Sequence, residues 1–198
     1  MGHSEKLCGD LPLDHVSATV HRNQMRESTA SDSCVFLLPG EMIVLTRPGR
    51  VKTVLGSCVA ITMRERISGV SAIVHCLLPN AGMPFDSLPP GDCYRYVDSA
   101  VAGMLDGFAR RGVRSRDLEI KLFGGSDHLE KLPGTEFFHV GSRNVASALD
   151  ALWARGLAPL SQGVGGRRGR LIEFDTCTGT VLVSRLSGDS ATNLEETE

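Results

Sequence analysis

Between Met42 and Leu77 the chain carries four short runs rich in Val and Ile: Met42 to Thr46, Val51 to Leu55, Val59 to Met63 and Gly69 to Leu77. Pro48-Gly49, Gly56-Ser57 and Ser68-Gly69 mark the breaks between them. Runs this short, broken by glycine and proline, are strands joined by tight connections. From Asp92 the pattern changes to a helix, with Val97, Val101, Met104, Leu105 and Phe108 on one face and Gly112 as its terminator. Leu118 to Phe123 alternates as a strand and stops at Gly124-Gly125. Ser142 opens a second helix, with Val145, Leu149 and Leu152 inward and Gly156 at its end. Arg170 to Asp175 and Thr180 to Leu186 flank the turn Thr176-Cys177-Thr178-Gly179 as a hairpin. Strands, helix, strand, helix, strands is an α+β plan rather than a regular βαβ alternation. No internal repeat interrupts it.

The ends read differently. Residues 1–33 have no sustained hydrophobic period and are expected to be a flexible leader, while residues 188–198 are acidic, poor in large apolar groups and expected to be a solvated tail. The folded unit is then a single domain over residues 34–187, in keeping with a chain of 198 residues. Aromatic residues make up 5%, with one Trp and two Tyr, so the core is aliphatic and a platform for stacking bases is not expected. A net charge of −2 provides no field for phosphate backbones, which excludes nucleic acid as a default partner. The six cysteines, at 8, 34, 58, 76, 93 and 177, form no CxxC pair and suit a reducing compartment. No cationic start followed by an apolar segment marks a secretory signal, and Lys6 spoils a myristoylation pattern. The longest apolar stretch, Val70 to Pro79, is interrupted by Ser71 and His75 and is far short of a membrane span. These features point to a cytoplasmic protein without direct membrane insertion.

Chemistry centres on Leu55-Gly56-Ser57-Cys58-Val59, where a glycine turn sets a thiol at the start of a strand. Such a turn exposes backbone amides that can serve an oxyanion, and nearby positive charge lowers a thiol pKa toward the nucleophilic thiolate. A small Cys at a strand start is equally a common core residue. His75, seventeen residues on, stands in an otherwise aliphatic strand, where it needs a hydrogen bond or a cleft. If the two strands are neighbours, Cys58 and His75 are a nucleophile and its general base; otherwise His75 is a satisfied core histidine. Thr53 is the nearest strand hydroxyl that can orient the imidazole, or it is simply a β-branched strand residue. A metal site from Cys58, His75, Cys76 and Cys93 is disfavoured, because adjacent strand residues point to opposite faces. The run Gly163 to Arg170 lacks the ending and context of a phosphate loop and reads as a glycine-rich approach with a solvated basic cluster.

The stretches TVLGSCVAI, GVSAIVHCLLP, RYVDSAV, KLFGG, GSRN and GVGGRRGRLIEFDTCTGTVLV occur in that order over about residues 35–186. Together they resemble the CheD family of bacterial chemoreceptor glutamine deamidases. The resemblance implies a protein-glutamine glutaminase in which Cys58 is the nucleophile, His75 the base and Thr53 the third catalytic position. It implies no metal or organic cofactor, chemoreceptor cytoplasmic domains as substrate, and a CheC-type phosphatase as a possible partner. The fold implied is a mixed β-sandwich with helices outside, related to the cysteine deamidase domain of the cytotoxic necrotizing factor toxins. The chain departs from the family pattern at Ser126-Asp127-His128 and in its long leader. Two other functions compete: a regulatory module that docks to a phosphatase or receptor, and a receptor methylesterase using the same thiol.

Overall fold

The structure, a computed structural model, describes residues 25–28, 34–89, 91–127, 139–186 and 194–197. Along the chain these form strands β1 (Met25–Ser28), β2 (Cys34–Phe36), β3 (Met42–Leu45), β4 (Arg50–Leu55), β5 (Val59–Glu65) and β6 (Ser71–Cys76), then helix α1 (Val97–Ala109), strand β7 (Leu118–Gly124) and helix α2 (Val140–Trp153), and finally β8 (Ser161–Val164), β9 (Arg170–Asp175), β10 (Val181–Arg185) and β11 (Leu194–Thr197). A six-stranded sheet has the order β1-β3-β6-β5-β7-β8, and a five-stranded sheet the order β11-β10-β9-β4-β2. Most neighbours are antiparallel; β1 with β3, β2 with β4, and β7 with β8 are parallel. The α+β plan expected from the sequence is the one found.

Three layers follow from side-chain alternation. On one face of the six-stranded sheet, Met42, Val44, Ile61, Met63, Val74, Cys76 and Leu122 pack with Val97, Val101 and Met104 of α1 and Ala148 and Leu152 of α2. On the other face, Ile43, Leu45, Ala60, Ile73 and Phe123 meet Val51, Leu55, Ile172, Phe174 and Val181 of the five-stranded sheet. With both faces covered, every residue of β3 and β6 is buried. That is why these strands read in the sequence as unbroken apolar runs rather than as alternation.

The structure departs from the sequence reading at identifiable places. The first helix begins at Val97, not Asp92, because the chain before it serves β6: Leu77 N and Leu78 N both donate to Arg95 O, and Val97 N donates to Leu78 O. Tyr96 is accordingly extended, with φ −103° and ψ 137°. β8 overlaps the start of the glycine-rich run and is held by parallel pairing to β7, with Val164 its one apolar side chain packed against the core. Strands β1 and β11 lie within the segments assigned by composition to the leader and tail. Both are attached through backbone pairing at sheet edges, which requires no hydrophobic period. The two apolar clusters nonetheless fall wholly between Val35 and Val183 among the described residues.

Candidate active site

The turn between β4 and β5 carries Cys58, half-buried against the apolar layer between the sheets. All three of its carbonyls are held from one side: Gly56 O accepts from Ser126 N at 2.9 Å, Ser57 O from Asn144 Nδ2 at 2.9 Å, and Cys58 O from Gly125 N at 2.8 Å. In a trans peptide the N–H points opposite to the preceding C=O, so the amides of Ser57 and Cys58 face away from these partners. The amide of Cys58 is turned toward its own sulfur. Burial pushes the Cys58 thiol above its ordinary pKa, and that backbone hydrogen bond opposes the shift only in part. The lowered thiol pKa expected from the sequence is therefore not found; the resting sulfur is a neutral thiol.

His75, 1% exposed, lies on the same face of β6 as Ile73, toward the five-stranded sheet. From that sheet Thr53 reaches it: Thr53 Oγ1 lies 2.7 Å from His75 Nδ1 and 2.8 Å from Leu37 O. A carbonyl can only accept, so the hydroxyl proton goes to Leu37 and Nδ1–H donates to Thr53. The tautomer follows: the lone pair sits on Nε2, which is buried and has no hydrogen-bond partner. Burial pushes the His75 pKa down to about 4, against the opposing pull of the Leu37 carbonyl, so the ring is a neutral base at neutral pH. The backbone is clamped as well, since Gly40 N donates to His75 O at 2.7 Å and His75 N to Glu41 O at 3.0 Å.

The sheet register relates the two groups. Ala60 pairs with His75, and Cys58 stands two residues before Ala60, which makes Cys58 and His75 diagonal neighbours across β5 and β6. Cys76 and Cys93 pack instead in the layer under the helices. The four residues weighed as metal ligands are thus divided between two faces of the sheet, and no group of three His, Cys, Asp or Glu side chains is poised around an ion among the described residues.

Behind the turn, the end of β7 forms an arch. Gly124 and Gly125 have φ of +104° and +66°, and a Cβ on Gly124 would stand 2.2 Å from Cys58 O. Gly141, at the start of α2, is equally confined, because its Cβ would meet the carbonyls of Gly125 and Ser126 at 2.6 Å. Asp127 fixes the helix start on this arch, accepting from Gly141 N at 2.9 Å, from Ser142 N at 3.1 Å and from the Ser142 hydroxyl. Burial pushes the Asp127 carboxyl up, but these hydrogen bonds and nearby His139 outweigh it and hold the group below its ordinary pKa. The glycine-rich run supports the other side: Gly165 N donates to Gly124 O, Asp127 N to Gly166 O, and the Arg170 guanidinium to the carbonyls of Gly163 and Gly165. Arg170 is thereby used inside the fold and is no part of a solvated basic cluster. A groove of about 530 Å³ lies apart from this turn, between α1, α2 and the loop that includes Asn80 and Met83.

Comparison with known proteins now bears on this geometry. The family described as CheD chemotactic sensory transduction matches residues 77–185. The chain is 46% identical over 160 residues to a probable chemoreceptor glutamine deamidase CheD 2 of Geobacter sulfurreducens, covering 79% of this chain and 92% of that protein. The chain belongs to the CheD family. A probable chemoreceptor glutamine deamidase CheD of Maridesulfovibrio salexigens is 41% identical over 77% of this chain and 91% of its own length. The chemoreceptor glutamine deamidase CheD of Thermotoga maritima is 33% identical over 79% of this chain and 95% of its own length. Alignments of this extent leave out too little of the chain to skip either Cys58 or His75, although the family match itself begins after both.

In this CheD-family chain the structure joins two of the residues singled out from the sequence, Thr53 and His75, by a hydrogen bond, and sets the third, Cys58, diagonally across the strand pair from His75. It also adds groups that the sequence reading missed. The Leu37 carbonyl, which orients Thr53, is a backbone atom with no sequence signal. Asp127 looked like a departure from the CheD pattern and is the cap of α2. His128, the other half of that departure, lies outside the described residues. Asn144 was visible only as the last letter of the GSRN stretch.

Proposed function

We propose that this chain is a chemoreceptor glutamine deamidase, a cysteine hydrolase that converts glutamine side chains of chemoreceptor cytoplasmic domains to glutamate. The observation that carries the reading is the Thr53–His75 hydrogen bond, which leaves Nε2 as a buried, unpartnered base on the same sheet face as Cys58. The names of the similar proteins supply the substrate class. Cys58 Sγ attacks the carboxamide carbon as its proton passes to His75 Nε2, and the developing oxyanion meets backbone amides of the turn. His75 returns that proton to the leaving nitrogen, and ammonia departs as the C–N bond breaks. Water, deprotonated by His75, then attacks the thioester; the C–S bond breaks, and glutamate and the free thiol result. The balance closes with glutamine and water in, glutamate and ammonia out, so the reaction as written calls for neither metal nor organic cofactor.

This reading locates the protein in the cytoplasm with its substrate, and keeps a CheC-type phosphatase as a candidate partner. It also keeps the kinship with the cytotoxic necrotizing factor deamidases, supported by a thiol at the mouth of two stacked sheets. Incubating the purified protein with cytoplasmic receptor fragments, and following each glutamine by mass spectrometry, tests the assignment. Conversion of selected glutamines, unaffected by chelator, is expected. Unchanged glutamines across several cognate receptors would favour a docking module, and methanol released from methylated receptors in place of ammonia would assign the thiol to ester hydrolysis.

A further inference from the structure

Asn144 has no part in the chemistry above, yet it is fully buried and touches both segments on which that chemistry depends. Its Nδ2 donates to Ser57 O and to Leu77 O, each at 2.9 Å. Both acceptors are carbonyls, so the amide nitrogen must face them, and the orientation of the side chain is fixed. Ser57 immediately precedes the nucleophile, and Leu77 lies two residues beyond the base. The β5–β6 ladder ends at the pair Val59 and Cys76, one step short of this point. Past that pair the strands diverge to other partners: Leu77 N donates to Arg95 O, and Cys58 O accepts from Gly125 N. A single side chain from α2 therefore bridges the two strands where their own pairing has stopped.

The bridge has a cost that a purely stabilising contact would avoid. Asn144 Oδ1 is buried without a hydrogen-bond partner, and an unpaired buried amide oxygen works against stability. The helix bearing the residue is itself pinned onto the arch, by Asp127 at its start and by the close approach of Gly141. The rigidity of α2 thus reaches the nucleophile turn through this amide.

We propose that Asn144 is a positioning residue, holding the Cys58 turn at working distance from His75 by tying Ser57 to the end of β6. The inference rests on the reading of Cys58 and His75 as a nucleophile and its base. Its test needs no receptor, so its failure is separate from failure of the proposed function, which the receptor assay decides on the wild-type protein. Alkylation of Cys58 by iodoacetamide at pH 7 is followed by site-resolved mass spectrometry in the wild type, His75→Ala, Asn144→Ala and the double variant, each below its unfolding temperature. His75→Ala is expected to slow alkylation about tenfold by removing the base, and Asn144→Ala to slow it to a similar degree. The double variant is expected to be no more than about twofold slower than either single one, because both changes break one coupling. A wild-type rate in Asn144→Ala, or losses that multiply in the double variant, would overturn the proposal. Should Asn144→Ala fail to fold, Asn144→Gln, which keeps the donors but displaces them by one methylene, is read by the same criteria. With receptor fragments, at a temperature where circular dichroism shows the variant fully folded, kcat per folded protein is expected to fall about 100-fold with KM within about threefold.

Discussion

His75 and Cys76 are consecutive residues of β6, both buried, yet they sit in different kinds of surroundings. On the His75 side, the layer between the sheets admits a hydroxyl, a backbone carbonyl and a half-buried thiol, and leaves one ring nitrogen unpartnered. On the Cys76 side, the sulfur lies wholly buried in the apolar layer between the sheet and the helices, and burial drives its pKa far above the ordinary thiol value. One sheet thus has a reactive face and an inert face, separated by the pleat of a single strand. A thiol's chemistry here depends on which face holds it, and burial alone does not distinguish Cys76 from a catalytic group.

Removing the nucleophile tests this contrast most severely. Cys58→Ala should reduce receptor deamidation by at least about 1000-fold, measured as ammonia release, while changing unfolding free energy by no more than about 1 kcal/mol. Substantial activity in Cys58→Ala would mean that the reactive face has been misassigned. Gly124→Ala comes next. Its Cβ has no room beside Cys58 O, and φ of +104° is hostile to any side chain, so the arch must shift and carry the turn with it. A loss of about 100-fold in kcat and of about 2–3 kcal/mol in denaturant unfolding is expected. A Gly124→Ala protein that is destabilised but fully active would separate the arch from the chemistry.

Thr53→Val keeps the shape and deletes the hydroxyl that lies between Leu37 O and His75 Nδ1. It should lower kcat by about 10- to 100-fold and stability by about 1–3 kcal/mol. Nitrogen NMR of His75 should then show a mixture of tautomers where the wild type shows one. A single unchanged tautomer in Thr53→Val would place the orienting interaction elsewhere.

The pH response probes the reactive face. His75 is neutral in the folded state down to about pH 4, whereas in the unfolded chain it takes up a proton near 6.5. Between those values the unfolded state binds more protons, so stability is full above about 6.5 and declines as pH falls toward 4. The decline is about 3 kcal/mol at most, from about 1.4 kcal/mol per pH unit. Denaturant titrations at pH 7 and pH 4 should show it, and His75→Gln should remove most of it. The acid limb of kcat/KM should likewise fall near pH 4 rather than near 6.5. Alkylation of Cys58 should keep rising beyond the ordinary thiol pKa, because its thiol is raised. A rate already level at pH 7 would reveal a resting thiolate and contradict the neutral pair.

How much of this could be read in advance depends on the kind of signal. The β4–β5 turn, the His75 strand and both helices are local patterns of glycine punctuation and apolar spacing, and apart from the later start of α1 they lie where the sequence indicates. That His75 and Cys76 face opposite layers follows from strand periodicity, and the structure bears it out. Thr53 was only the nearest hydroxyl; its meeting with His75 depends on how two sheets stack, which no local window contains. The same holds for Asn144, 67 residues from one of its acceptors and 87 from the other. The direction of the Cys58 shift is not legible in the sequence, because burial sets it and burial is a property of the assembled layers.

The smallest effect belongs to the inert face. Cys76 is completely buried among aliphatic side chains under the helices, and its backbone pairs with Val59 at the end of the β5–β6 ladder. Cys76→Ala removes one sulfur from this packing and leaves that backbone pairing in place. The expected cost is about 1 kcal/mol, read as a modest fall in unfolding midpoint. Deamidation should stay within about twofold of the wild type, since the substitution changes neither the Thr53–His75 hydrogen bond nor the Asn144 bridge. Iodoacetamide should modify Cys58 before Cys76 in the folded protein, with the exposed Cys34 and Cys177 reacting early and resolved by mass. A Cys76→Ala protein that folds normally but loses turnover would show that the two faces communicate through β6, and the separation of reactive from inert thiol would have to be abandoned.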